Sequence, residues 1–81
     1  MREKFMVALD EAIDNGNEIN VSLDTGKAVI SVSFIPEILD FDGNSVHIWF
    51  NGMDFLVLDL TDIDGNEDEM IFQTDGAQIE F

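Results

Sequence analysis

Apolar and polar residues alternate along the chain from residue 18 onward, and this alternation restricts the fold more than any other feature. It begins with Ile19, Val21 and Leu23, which are separated by polar residues. Successive side chains of a β-strand point to opposite faces of a sheet, so such alternation indicates a strand with one buried face. Further strands are predicted over residues 27–35, 45–50, 53–60, 69–73 and 77–81, with a short continuation over 36–39. The chain is therefore expected to fold mainly as β-sheet.

Short turns separate these strands and predict that they run antiparallel. Asn51-Gly52 stands between the runs 45–50 and 53–60, and this dipeptide is the strongest short-range signal for a hairpin. Pro36 cannot donate a hydrogen bond to a neighbouring strand, so it marks a bend or a sheet edge. Two further turns are predicted at Thr25-Gly26 and Asp75-Gly76. Hairpins in succession give an antiparallel meander.

The first residues of the chain predict a helix. Phe5, Leu9 and Ile13 recur at helical spacing within residues 2–14, and Asn15-Gly16 provides a stop signal. Eighty-one residues supply one hydrophobic core. We therefore expect a single α+β domain over residues 1–81, with the N-terminal helix packed on a bent antiparallel meander sheet of five or six strands. That sheet either stays open or curls into a partly closed small barrel.

The charge of the chain is strongly negative and unevenly distributed. Eighteen Asp and Glu residues oppose three basic residues, which gives a formal net charge of −15. The basic residues are Arg2, Lys4 and Lys27, and the twelve acids that follow Lys27 have no Lys or Arg among them. Such a field repels phosphates and anionic lipids and attracts basic proteins. We therefore expect a basic protein partner, and neither direct nucleic-acid binding nor membrane binding.

Two acidic turns share the pattern D-x-D-G-N, at residues 40–44 and 62–66. Asp, Gly and Asn are good turn residues, which is sufficient to explain the repeat. Alternate turns of a meander lie at the same end of the sheet, so the two turns are expected to be neighbours. The start of the first strand should reach the same end. The predicted acidic rim consists of Asp40, Asp42, Asp62, Asp64, Glu67, Asp68, Glu69 and Glu18.

The acidic rim is expected to bind a basic partner. The chain would then be a small acidic protein-binding module, an inhibitor or adaptor of a nucleic-acid-handling protein, and mimicry of a nucleic acid is the most specific form of this hypothesis. The alternative is that the carboxylates only keep a small sheet protein soluble and prevent pairing of its edges.

A calcium site is a second hypothesis for the loop after residue 61. Its oxygen-bearing residues alternate as they do in calcium loops, at Asp62, Asp64, Asn66 and Asp68. An EF-hand loop beginning at Asp62 would, however, place Glu67 where Gly is required and Gln73 where a bidentate Glu is required. We expect no cofactor and at most weak binding of divalent cations.

The residue inventory argues against catalysis and against export. The chain has one His, no Cys and no Tyr, and neither a nucleophile elbow nor a glycine-rich phosphate loop, so no enzymatic activity is expected. The lack of Cys and the polar start of the chain predict a cytoplasmic location. The longest apolar run, residues 55–58, is far shorter than the roughly 20 residues that cross a bilayer.

A second apolar set is expected on the central strands. Trp49, Leu56 and Leu58 are out of phase with Val46 and Ile48, so both faces of these strands contain apolar residues. The second face must be closed by curling into a barrel, by a partner or by a second copy in a homodimer. Trp49, Leu56 and Leu58 are therefore a predicted apolar interface. His47 is expected on the face of Trp49, where nearby acids favour its protonated form.

Overall fold

The computed structural model describes residues 1–81 and shows one helix and eight strands in two antiparallel sheets. Helix α1 spans Arg2–Asn15. The strands are β1 (Ile19–Asp24), β2 (Val29–Phe34), β3 (Ile38–Asp42), β4 (Ser45–Phe50), β5 (Met53–Asp59), β6 (Asp64–Asn66), β7 (Ile71–Thr74) and β8 (Ala77–Glu80). The predicted α+β class with an N-terminal helix is confirmed.

Helix α1 has one apolar stripe. Phe5, Ala8, Leu9 and Ala12 are buried, at the spacing of neighbouring turns on one helix face. Gly16 ends the helix in the left-handed conformation at φ 65°, which a residue without a Cβ adopts at little cost. The stripe and the stop signal are both as predicted. Neither the length nor the apolar content of α1 suffices to cross a membrane.

The strand order differs from a single meander. One sheet has five strands in the order β2-β1-β8-β7-β6, and the other has three in the order β3-β4-β5. The last strand pairs with the first, with Val21 opposite Ile79. No sheet closes into a barrel. The predicted single sheet of five or six strands is wrong because turn signals identify only strands that are adjacent in sequence, whereas the β1–β8 pair joins the two ends of the chain.

The chain passes from the five-stranded sheet to the three-stranded sheet between β2 and β3. Pro36 lies at this crossing and is fully buried, and because it has no N–H its burial leaves no donor unpaired. The N–H of Glu37 donates to the carbonyl of Trp49 at 2.9 Å. The Glu37 carboxylate in turn accepts the N–H of Gly52 at 2.9 Å. These bonds fix the start of the smaller sheet.

The helix and both sheets enclose one core. Phe5 of α1 contacts Phe72 edge to face, with ring centroids 5.3 Å apart. The ring of Phe34 on β2 packs against the rings of Phe50 and Phe55, with centroid distances of 5.4 and 5.0 Å. The helix thus covers one part of the five-stranded sheet, and the smaller sheet covers another. The buried core residues are Phe5, Ala8, Leu9, Ala12, Ile19, Val21, Phe34, Val46, Ile48, Leu58, Leu60, Phe72 and Ile79.

The β4–β5 hairpin is confirmed, but a bulge changes which side chains face the core. Asn51 and Gly52 both have positive φ, at 55° and 75°, as a two-residue hairpin turn requires. Trp49 pairs with Asp54, whereas the preceding residue, Ile48, pairs with Leu56. One residue of β5 is therefore extra, and the alternation beyond it shifts by one position.

This shift corrects the predicted apolar interface. Leu58 is opposite Val46 and is only 3% exposed. Leu56 is opposite Ile48 and packs against the core. The placement of Leu56 and Leu58 on the face of Trp49 is therefore wrong, because the bulge turns both leucines inward. Trp49 does lie on the opposite face from Ile48.

Candidate functional site

The solvent side of the three-stranded sheet combines acidic and apolar residues. Its strand alternation and register define three cross-strand rows, and we call this surface the outer face. The rows are Ile38–Trp49–Asp54, Asp40–His47–Val57 and Asp42–Ser45–Asp59. Four carboxylates, one imidazole and three apolar side chains thus share one surface.

His47 and Asp54 form the central polar contact of the outer face. The His47 Nδ1 and the Asp54 Oδ2 are 2.6 Å apart. The hydrogen bond to Asp54 raises the pKa of His47 above 6.5, and the charges of Asp54, Asp40 and Asp42 act in the same direction against partial desolvation. Protonated His47 therefore supplies a positive charge among the four carboxylates.

Asp59 is held in place at the end of β5. Its Oδ1 accepts the Thr61 N–H at 2.9 Å and the Thr61 hydroxyl at 2.6 Å. These two hydrogen bonds favour the ionised form and lower the pKa of Asp59 below 3.8. The carboxylate that closes the third row is thus charged and oriented by its own turn.

The apolar side chains of the outer face remain accessible. Ile38 is 59% exposed and Val57 is 53% exposed, and Trp49 between them is half-buried. Aromatic and aliphatic residues of this kind are common at the centre of protein interfaces. The outer face therefore offers contact area as well as charge.

Neither lysine nor arginine lies on the outer face. Arg2 donates to the side chain of Asn44 at 2.8 Å and to the carbonyl of Gly43 at 3.1 Å. Lys4 pairs with Glu67, and Lys27 lies in the turn between β1 and β2. The four carboxylates of the outer face have His47 as their only cationic neighbour on the three strands.

The structure gives the position of each acid of the predicted acidic rim. Asp40 and Asp42 lie on the outer face. Asp62 and Asp64 line a polar groove of about 560 Å³ together with Asp75 and with Asp59, which also belongs to the outer face. Among the remaining acids of the predicted rim, Glu69 lines a pocket with Asp64, Glu67 pairs with Lys4, and Glu18 and Asp68 are exposed.

The strand pairing of the larger sheet determines where the later acids lie. Asp64 is opposite Gln73 at the open end of the β6–β7 hairpin, and residues 67–69 form its tip. Glu18 precedes β1 and lies beside Met70 near that tip. The single meander from which the rim was predicted is wrong, because β3–β5 form a sheet of their own and β1 pairs with β8. The grouping of these acids into one rim stays a prediction.

The candidate calcium residues do not converge. The Asn66 side-chain oxygen accepts the N–H groups of Asp68 and Glu69 at 3.0 and 3.3 Å. Asp64 accepts the N–H of Gly65 at 2.8 Å. Nowhere do three carboxylate or imidazole groups come close enough together to hold a metal ion. These oxygens stabilise backbone turns, and the calcium hypothesis has no ligand set in this structure.

Five residues of the outer face were not singled out from the sequence, namely Ile38, Ser45, Asp54, Val57 and Asp59. The strand pattern did contain a signal for Asp59, which ends an apolar run of β5. The position of Val57 was hidden by the bulge, because uninterrupted alternation places it on the core side.

Comparison with protein-family models, with curated proteins and with solved structures gives no match to this chain.

Proposed function

We propose that this protein is a small binding module whose outer face docks onto a basic protein, as an inhibitor or adaptor of a nucleic-acid-binding partner. One observation carries this proposal. Asp40, Asp42, Asp54 and Asp59 lie on three paired strands that contain no Lys or Arg. Their negative charge is balanced on these strands only by His47.

The apolar residues favour a protein as the ligand of this face. A carboxylate cluster alone would attract any cation, but Trp49, Ile38 and Val57 add exposed apolar surface beside it. Interfaces typically combine an aromatic or aliphatic centre with a polar rim. Binding rather than catalysis is the function we propose, because the face is an open sheet surface.

The spacing of the carboxylates favours a partner that binds nucleic acid. Asp40 and Asp42 are two residues apart on one strand, so they repeat at roughly 6.6 Å along it. Nucleic-acid-binding proteins present Lys and Arg to a regular row of phosphates. Carboxylates on a rigid sheet offer the same sign of charge to those residues, which is the basis for mimicry.

The proposal is tested by capture from a cell extract at low salt, followed by elution with a salt gradient and binding measurements on the eluted protein. The variant Asp40→Asn/Asp42→Asn should bind much more weakly than the wild type and with a smaller dependence on salt. The matched control is Asp10→Asn/Glu11→Gln, which removes two charges from the exposed side of α1. Equal weakening by both variants would show that net charge acts without the outer face.

Mimicry is tested by competition on the same eluted protein. Duplex DNA and this chain should displace each other if they use the same basic surface, and both complexes should weaken with salt. Simultaneous binding of both would exclude mimicry and leave the adaptor function.

A further inference from the structure

Four strands form the edges of the two sheets, and β2 differs from the other three. The edges are β2 and β6 of the larger sheet and β3 and β5 of the smaller one. Charged side chains protect sheet edges from pairing with other chains. Asp40 lies on β3, Asp54 on β5 and Asp64 on β6, whereas β2 (Val29–Phe34) carries no charged residue.

The backbone of β2 has free hydrogen-bonding groups along this edge. The N–H of Thr25 donates to the carbonyl of Ala28 at 3.0 Å, which makes this the first hydrogen-bonded pair of the β1–β2 hairpin. Hydrogen-bonded and non-hydrogen-bonded pairs alternate in an antiparallel ladder. The register then directs the N–H and C=O groups of Val29, Ser31 and Ser33 away from β1. The β1–β2 register has no bulge that would twist this edge away.

Exposed apolar residues accompany the open edge. Val29 is 68% exposed and Ile30 is 54% exposed, and Ile35 just beyond the strand is also exposed. Phe55, which contacts Phe34, continues this apolar surface onto β5. A second strand at this edge would cover these side chains as well as pair the backbone.

Local charge is the second distinctive property of this edge. Residues 25–36 contain no acid in a chain with a net charge of −15. Lys27 lies within this segment and makes neither an ion pair nor a side-chain hydrogen bond. A basic partner would therefore find no carboxylate here, whereas a second copy of the chain would meet the least repulsive part of its own surface.

We propose that β2 pairs antiparallel with β2 of a second copy, which joins the two five-stranded sheets into one sheet of ten strands. A twofold axis at Val32 places Ser31 opposite Ser33 and Ile30 opposite Phe34 of the other copy. The outward backbone groups then bond to each other, and the inner faces of both sheets stay on the same side. The same register brings Lys27 of each copy towards Glu37 of the other, a pair of opposite charge.

This dimer uses a different surface from the outer face, so the two proposals can fail separately. Partner binding and dimerisation should also depend on salt in opposite directions. Salt weakens the attraction between the outer face and a basic partner, but it screens the repulsion between two chains that each carry −15. Dimerisation should therefore become stronger as salt rises, while partner binding becomes weaker.

The experiment is sedimentation equilibrium of the full chain from about 10 μM to about 1 mM, at about 0.1 M and about 1 M NaCl. The wild type should show a monomer–dimer equilibrium with more dimer at high salt. Val29→Lys should remain folded by circular dichroism, since the side chain points to solvent, and should be monomeric throughout. This variant lowers the net negative charge, so a loss of dimer cannot result from increased repulsion.

The matched control is Val57→Lys, which makes the same change at an exposed strand position of the outer face. It should dimerise like the wild type. In the wild-type dimer the amides of Val29, Ser31 and Ser33 should exchange with solvent more slowly than in Val29→Lys. The proposal would be overturned if the wild type were monomeric under all these conditions. It would also be overturned if Val57→Lys disrupted the dimer and Val29→Lys left it intact.

Discussion

His47 is the residue whose ionisation most directly changes the charge of the outer face. Its hydrogen bond to Asp54 and the charges of Asp40 and Asp42 favour the protonated form. The chain has one His and no Cys, so His47 is the side chain whose unperturbed pKa lies nearest to neutrality. Deprotonation of His47 makes the outer face more negative, which should strengthen binding to a basic partner.

The raised pKa of His47 also predicts how stability depends on pH. A group whose pKa is higher in the folded state stabilises the fold fully below its unfolded pKa of about 6.5. This contribution disappears as pH rises through the folded-state pKa. The free energy of unfolding, measured with urea, should therefore decrease as pH rises above 6.5 in the wild type and change less in His47→Gln.

An NMR titration of the His47 ring measures the same effect directly. Asp54→Asn removes the largest cause of the shift, so the pKa of His47 should move down towards 6.5. Asp10→Asn removes the same charge from the exposed side of α1 and should leave the His47 titration almost unchanged. A similar shift in both variants would mean that His47 responds to net charge and not to Asp54.

At the scale of the element, helix α1 has an unfavourable C-terminus. Its last turn contains Asp14 and no basic residue, although the helix dipole favours a cation there. Asp14 also lies four residues after Asp10 on the exposed side, and like charges at this spacing repel. The burial of Phe5, Leu9 and their neighbours therefore has to offset the unfavourable charges at the C-terminal end of the helix.

Lysine substitutions at these two positions separate the dipole effect from the charge effect. Asp14→Lys and Asp10→Lys change the net charge equally, and both remove the same repulsive pair. Asp14→Lys should raise the free energy of unfolding by about 0.3–1 kcal/mol more than Asp10→Lys, because only the former places a cation in the last turn. Thermal and urea unfolding measure the difference. Equal stabilisation would show that the dipole has no measurable effect here.

At the scale of the whole molecule, the negative charge is divided among several surfaces. The principal extents are 32 × 26 × 25 Å, and the Debye length is about 10 Å at 0.1 M salt. Charges on opposite sides of the molecule are therefore largely screened from each other. Repulsion within the outer face or within the groove beside Asp62 and Asp64 acts over shorter distances and is screened less.

This distribution predicts that salts stabilise the fold without selecting a particular cation. The melting temperature should rise with NaCl, because screening reduces repulsion within each acidic surface. Calcium and magnesium chloride at equal ionic strength should raise it equally, since no three carboxylates converge on a metal position. A larger rise with calcium that Asp64→Asn abolishes would restore the calcium hypothesis.

Local patterns in the sequence were sufficient to predict helix α1 and the existence of the β4–β5 hairpin. The stripe of Phe5 and Leu9, the stop at Gly16 and the hairpin at Asn51-Gly52 depend on contacts between residues close in the chain. Alternation within β4 correctly placed the side chain of His47 on the other face of the sheet from the side chain of Ile48. The deficit of basic residues after Lys27 was also evident from composition alone.

The two D-x-D-G-N segments show where such patterns stop being informative. Residues 42–45 form the turn between β3 and β4, with Gly43 at φ 62°. Gly65 in the second segment instead lies within β6 and is paired with Phe72. The same residues form a turn in one place and a strand in the other, because β7 is available to pair with the second segment.

The helix, the turns of the hairpins and the amount of negative charge follow from the amino-acid sequence, whereas the pairing of distant strands sets where that charge lies. Pairing of β1 with β8 depends on how distant apolar faces bury each other, and periodicity within a strand does not encode this choice. The bulge before Leu56 reverses which side of β5 faces the core, and it is visible only when β5 is aligned with β4. Together these features formed an outer face around Trp49 and left β2 as an edge without charge.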